Sequence, residues 1–479
     1  MTYADLLTGA LALGLLGYLG IIVLVYRRTR DPGMTTILLL ASYWTVLGAF
    51  PILATKRLDN GVNYTYMEDR LFTIVVDGAY TETLAAYLLF LVLTALVTLL
   101  LSRDASRNTP IRAGWDRLNA DFSHVTMICV VTAITAAKVV IVLLLLRASG
   151  ETGLSLYAAT RTVKGDAAGL LRIYQYLNIL SSYSLSAGLA LWLGYRGTPT
   201  MRRSTRAFVW AGYGLLGALV FAENALLGNR AVPLIVMAAA ATGWIRWGFL
   251  RASRARRGPM LLRFTALTLA GLVVLGTIGV SRGGSLTSPA AVAEAMVTNV
   301  SKIGNVVGQV VGSSEMVASH MSLYGVIREE NLVHDAWSAN SYGTYADLVQ
   351  APEDQVFTVH YVAAWWLRTG PLGVILAAVS FALALILLQR ISWRPRSLWA
   401  ASFALPAAVL PAAGAPVILM RSGPEALRAV FVELVVLPGL VCGVCLLAGR
   451  SRNSRKAVHA REPALFTASQ GELHVNRTH

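Results

Sequence analysis

The sequence predicts an all-α, polytopic membrane protein with about eleven transmembrane helices and one long loop on the outer side. Three observations predict it. The chain of 479 residues is 56% hydrophobic and only 14% charged, with a mean hydropathy of +0.59. Soluble domains carry roughly a quarter charged residues. Apolar runs of spanning length recur along it, and most Arg and Lys cluster just after such runs. The formal charge of +16 is therefore a topology signal, and its placement excludes nucleic acid as the partner.

A spanning helix needs about 20 mostly apolar residues. Stretches that meet this are 6–26, 34–54, 83–101, 125–146, 173–195, 207–227, 231–249, 261–280, 371–389, 398–420 and 429–449. The first lacks a basic leader and reads as a retained helix rather than a signal peptide. Gly9, Gly14, Gly17 and Gly20 in it predict close helix packing. Residues 1–280 thus form helices 1–8, 281–370 a periplasmic loop with amphipathic and re-entrant helices, 371–449 helices 9–11, and 450–479 a disordered cytoplasmic tail.

Orientation follows from the basic residues. The connectors around Arg27, Arg103–Arg117, Arg196–Arg206, Arg246–Arg263 and Arg390–Arg396, with the tail from Arg450, hold about 26 of the 41 Lys+Arg. That side is the cytoplasm, so the amino terminus lies outside. Cys129, Cys442 and Cys445 all fall inside apolar segments and read as packing residues.

The interval 281–356, about 75 residues, is the longest polar stretch between spans. Loops of that length are usually functional. Apolar residues at helical spacing from Val292 to Ile327 predict surface amphipathic helices there. The run from Phe357 to Leu388 is too long for one span, and Gly370-Pro371 breaks it. Phe357–Leu367 accordingly reads as an interfacial or re-entrant helix.

About 14 basic residues remain on the outer side, where topology does not call for them. Arg172, Arg230, Arg282, Arg421 and Arg428 sit at helix ends. Snorkelling accounts for about half. The others suit an outward-facing anion site, because a guanidinium holds phosphate bidentately. Among ionisable groups inside spans, Lys138 reads as a snorkelling or paired structural residue. Glu223 and Glu433 read as partners of outer arginines. Glu315, His320, His334 and His360 each read singly as solvated or structural groups, and together supply general bases on the outer side.

No Walker-type phosphate loop, glycine-rich dinucleotide turn, serine-hydrolase elbow or zinc-protease motif occurs, nor an Asp-x-Asp metal motif at an outer helix end. A reaction here needs an activated substrate, no metal and no cofactor.

The chain resembles the Wzy-type polymerases of lipid-linked oligosaccharide repeat units, relatives of the O-antigen ligases with a GT-C-like architecture. The resemblance spans most of residues 1–449. It rests on Phe50-Pro51, Gly228-Asn229-Arg230, Arg282 about fifty residues later, Glu315 in the long loop, Asn340-Ser341-Tyr342, and the segment from Arg421 to Arg428. It implies a metal-independent glycosyltransferase of the bacterial inner membrane, with its active site facing the periplasm. Undecaprenyl-pyrophosphate-linked oligosaccharides would be polymerised into a surface polysaccharide, with a flippase and a chain-length regulator as partners. Arg230, Arg282 and Arg421 would hold the pyrophosphate, joined by Arg428 and Arg172. Glu315, in the small-residue stretch after Gly312, or His334 would take the acceptor proton. Two other readings stay open: a ligase acting on lipid A core, and a transporter. The absence of an internal repeat weighs against the transporter.

Overall fold

The computed structural model describes residues 3–46, 48–49, 53, 78–102, 110–149, 167–195, 201–226, 231–253, 255–262, 265–266, 271, 314–328, 359–393, 397–419 and 423–452. Every regular element among them is helical. Seven helices are long and apolar enough to cross a membrane, covering Asp5–Thr29, Gly78–Leu101, His124–Ala148, Arg203–Asn224, Val232–Phe249, Leu372–Ser392 and Ala426–Arg452. The chain is a multi-pass membrane protein.

The elements are α1 (Tyr3–Thr29), α2 (Pro32–Val46), α3 (Gly78–Leu101), α4 (Pro110–Asp121), α5 (His124–Ser149), α6 (Ala167–Tyr195) and α7 (Arg203–Leu226). They continue with α8 (Ala231–Gly243), α9 (Ser314–Arg328), α10 (Tyr361–Thr369), α11 (Leu372–Ser392), α12 (Leu398–Val409), α13 (Pro411–Leu419) and α14 (Ala426–Phe431). Helix α8 runs on into a π-helical turn, Trp244–Phe249, and α14 into another, Val432–Val436. A helix satisfies its own backbone groups, which lipid cannot do, so apolar runs of this length settle as helices. Large apolar side chains stay exposed on them, among them Leu13 and Leu16 of α1 and Val140 and Leu143 of α5. Lipid, not water, suits such a surface.

The stretch 398–420 is not one uninterrupted helix but α12 and α13, separated at Leu410. Pro406, Pro411 and Pro416 each remove a backbone donor there. The connector after the third apolar stretch holds an amphipathic helix, α4, whose Trp115 and Leu118 are buried.

Helix α3 packs between α1 and α11, and α6 between α5 and α8. The crossing of α6 and α8 is close because a Cβ at Gly243 would come within 2.5 Å of the Ala190 carbonyl oxygen. The glycines of α1 do otherwise than expected. A Cβ at Gly9, Gly17 or Gly20 would meet nothing within 4 Å, and only Gly14 approaches a neighbour, Leu88. Packing of α1 runs instead through Leu11, Tyr18, Ile22 and Val25.

The break at Gly370-Pro371 makes a tight corner. His360 caps α10 by accepting from Val362 N at 3.1 Å, and Gly370 ends it at φ 61°, a left-handed value that favours glycine. Helix α10 is thereby a short, buried element separate from α11.

The two ends of the bundle sort their connectors. At one end Arg246 pairs with Asp31 at 3.4 Å, Arg251 with Asp116 at 3.0 Å, and Arg450 with Asp121 at 3.0 Å. All six belong to connectors or helix ends on the basic side. At the other end Tyr3 meets Thr81 at 2.5 Å, and the end of α2 meets α9. These pairs bring the connectors at residues 31, 116–121, 246–251 and 450 together at one end.

Candidate functional site

The end opposite the basic connectors is where α9, the described helix of the 281–356 interval, enters the bundle. It packs on α2, α3 and α10. Its sequence SEMVASHMSLYGVIR carries His320, Ser322 and Tyr324 on the buried side. The imidazole of His320 is fully buried. Its Nδ1 lies 3.0 Å from the Thr45 carbonyl oxygen, which only accepts, so Nδ1 carries the proton. Nε2 is then an acceptor for the Tyr80 hydroxyl at 3.3 Å. Tyr87 donates to the His320 carbonyl at 2.8 Å, and its ring lies 4.8 Å from the imidazole. Ser322 Oγ accepts from His360 N at 2.9 Å.

His360 is buried on the same junction. Its Nδ1 accepts the capping bond, so the neutral ring carries its proton on Nε2. Nε2 has no hydrogen-bond partner among the described residues, and the rings of Tyr87 and Phe90 surround it. Burial pushes the His320 imidazole down to about 4 and His360 well below the ordinary histidine value. Both are therefore neutral near pH 7 and engaged in joining helices.

Helix α10 ends in Arg368, whose side chain is only 6% exposed. Its guanidinium donates to the Ala364 carbonyl at 2.8 Å and pairs with Glu425 at 3.5 Å. Burial lowers the Arg368 pKa and Glu425 opposes that. Glu425 belongs to the segment from Arg421 to Arg428. The ion pair therefore ties that arginine-bearing segment to α10 and, through α10, to the loop helix. The sequence reading does not single out Arg368; its one signal is an arginine at the end of an apolar run, two residues before Gly370-Pro371.

A second polar cluster lies among α5, α6 and α7. Lys138 pairs with Glu223 and donates to Asn178 Oδ1 at 3.1 Å, while Tyr174 donates to the other Glu223 oxygen at 2.6 Å. Among the described residues Glu223 is thus matched within the bundle, by Lys138. Glu433 stands in the second π-turn, where Arg428 and Tyr183 are its electrostatic neighbours.

No family model, curated protein or solved structure matches this chain.

Of the residues singled out in the sequence, Arg172 and Arg428 are both exposed, on α6 and α14. Glu315 lies in the first turn of α9, one and a half turns before His320. Arg230, Arg282, Arg421 and His334 lie outside the described residues. Among the described residues no three His, Cys, Asp or Glu side chains gather as a metal set. Cys442 and Cys445 are buried, free and in the last span, and Cys129 is exposed.

Proposed function

We propose that this chain polymerises undecaprenyl-pyrophosphate-linked oligosaccharide repeat units into a surface polysaccharide, at the periplasmic face of a bacterial inner membrane. In this reading it has eleven spans, an outer amino terminus and a GT-C-like architecture. One observation carries the reading: the loop helix α9 is seated in the bundle against α10, whose buried Arg368 pairs with Glu425 of the Arg421–Arg428 segment. In this reading α9 is the cap over the site, and the described part of the Arg421–Arg428 segment is held to α10 beside it by the Arg368–Glu425 pair.

The chemistry is a displacement. The bond between the anomeric carbon and its pyrophosphate oxygen breaks, and the acceptor hydroxyl oxygen forms a bond to that carbon. Undecaprenyl pyrophosphate leaves with the electron pair. Arg230, Arg282 and Arg421 would stabilise the charge it gains, with Arg428 and Arg172 at the margin. The hydroxyl proton passes to Glu315 or His334. His320 and His360 leave the list of bases because both are buried in helix contacts. No metal or cofactor enters the scheme.

The test is reconstitution of the purified full-length chain with lipid-linked repeat units. A ladder of chain lengths supports the proposal. A single addition to lipid A core supports a ligase, and release across a vesicle without a new bond supports a transporter. A flippase and a chain-length regulator are the partners expected in cells.

A further inference from the structure

The inner end of α11 borders a groove of about 370 Å3, in the size range of small-molecule sites. Its walls include Ala400 and Phe403 of α12, and Phe431, Val435 and Val436 of the last span. Arg390 stands at its rim and is the one charged group among the lining residues. The groove has a structural origin. Val435 and Val436 fall in the π-helical turn, whose wider backbone displaces them from the regular helix surface. Gly439 leaves room for the Phe403 ring, where a Cβ would clash, so that ring is held in the wall.

Depth can be read from the neighbours of Arg390. Gln389 and Ser392 line a small cavity together with Asp31 and Arg246, which places this end of α11 with the basic connectors. Arg390 is exposed and pairs with no carboxylate among the described residues. An unpaired guanidinium at headgroup depth, above an apolar furrow within the bilayer, matches a phosphate joined to an acyl chain.

We propose that this groove holds one anionic phospholipid of the basic-side leaflet, with its phosphate on Arg390 and an acyl chain along Phe403 and Val436. The site is separate from the outer-end reaction and does not depend on it. It ties α12 to the last span, because α12 and the π-turn both contribute wall.

Native mass spectrometry of the full-length chain, titrated with phosphatidylglycerol and with phosphatidylcholine, tests this. The wild type should retain one phosphatidylglycerol at least five-fold more tightly than phosphatidylcholine. Arg390→Gln should lose that preference, since its side chain is exposed and its loss disturbs no packing. Val436→Trp fills the groove from its open side and should lower retention of both lipids. If that variant does not elute as a single species, Ala400→Phe fills the groove from the opposite wall. Equal retention of the two lipids by the wild type overturns the proposal. So does wild-type retention by Arg390→Gln, or by a well-folded groove-filling variant.

Discussion

Lys138 and Glu223, 85 residues apart in sequence, form an ion pair inside the helix bundle, and Asn178 and Tyr174 of a third helix complete their hydrogen bonds. Lys138 is 2% exposed and Glu223 17%. Ionised groups in a membrane interior persist when paired and further hydrogen-bonded, as these are. The pair joins α5 to α7 through α6 and so fixes how these three helices lie together.

Removing one partner leaves the other charge buried and unmatched. Glu223→Gln and Lys138→Met should each destabilise the protein by about 3–5 kcal/mol, while the double variant should recover most of that loss. Thermal unfolding of the four proteins in detergent measures the coupling. Strict additivity would show that the pair does not act as a unit.

The buried histidines predict an acid-sensitive junction. His320 has its pKa depressed in the folded state, so the unfolded chain binds more protons as pH falls. Its stabilising effect is intact above about 6.5 and is lost progressively down to about 4. Hydrogen exchange of residues 314–328 should therefore speed up across that window, and His320→Gln should flatten the dependence. An unchanged profile in His320→Gln would assign the acid effect to another group.

The ion pair at the end of α10 predicts a positional effect. Arg368→Ala should loosen the segment from Arg421 to Arg428 and cut polymer formation on the order of 100-fold, with Arg368→Lys recovering part. The same direction and size are expected for Arg230→Ala, Arg282→Ala and Arg421→Ala, with membrane insertion unchanged. Polymer of normal length from the alanine variants would remove these arginines from the site.

The proton acceptor is separable by substitution. Glu315→Gln should lower turnover by orders of magnitude while lipid-linked donor still binds. Near-normal polymer from Glu315→Gln, with loss in His334→Ala, would move the role to the histidine.

Sidedness is checked by labelling. Cysteines placed at Ser285 and Ser204 should react with impermeant reagents from opposite faces, Ser285 from the periplasm. Labelling of Ser204→Cys alone in intact spheroplasts would invert the topology, and the outer site with it.

That the chain is a set of membrane helices was legible in the sequence. Hydropathy over about 20 residues and the sign of flanking charge are local properties, readable without a fold. It also signalled the corner at Gly370-Pro371, since proline and glycine restrict the backbone wherever they stand. Which residues meet became visible only in three dimensions. His320 reaches the Thr45 carbonyl across 275 residues, and Glu223 takes Lys138 across 85. The glycines of α1 carried a packing signal, yet most of them face open space, because a helix face is chosen by its neighbours and not by its own composition. Arg368 likewise finds its partner, Glu425, 57 residues away in sequence. Burial and partnership are properties of distance in space, and no spacing along the chain encodes them.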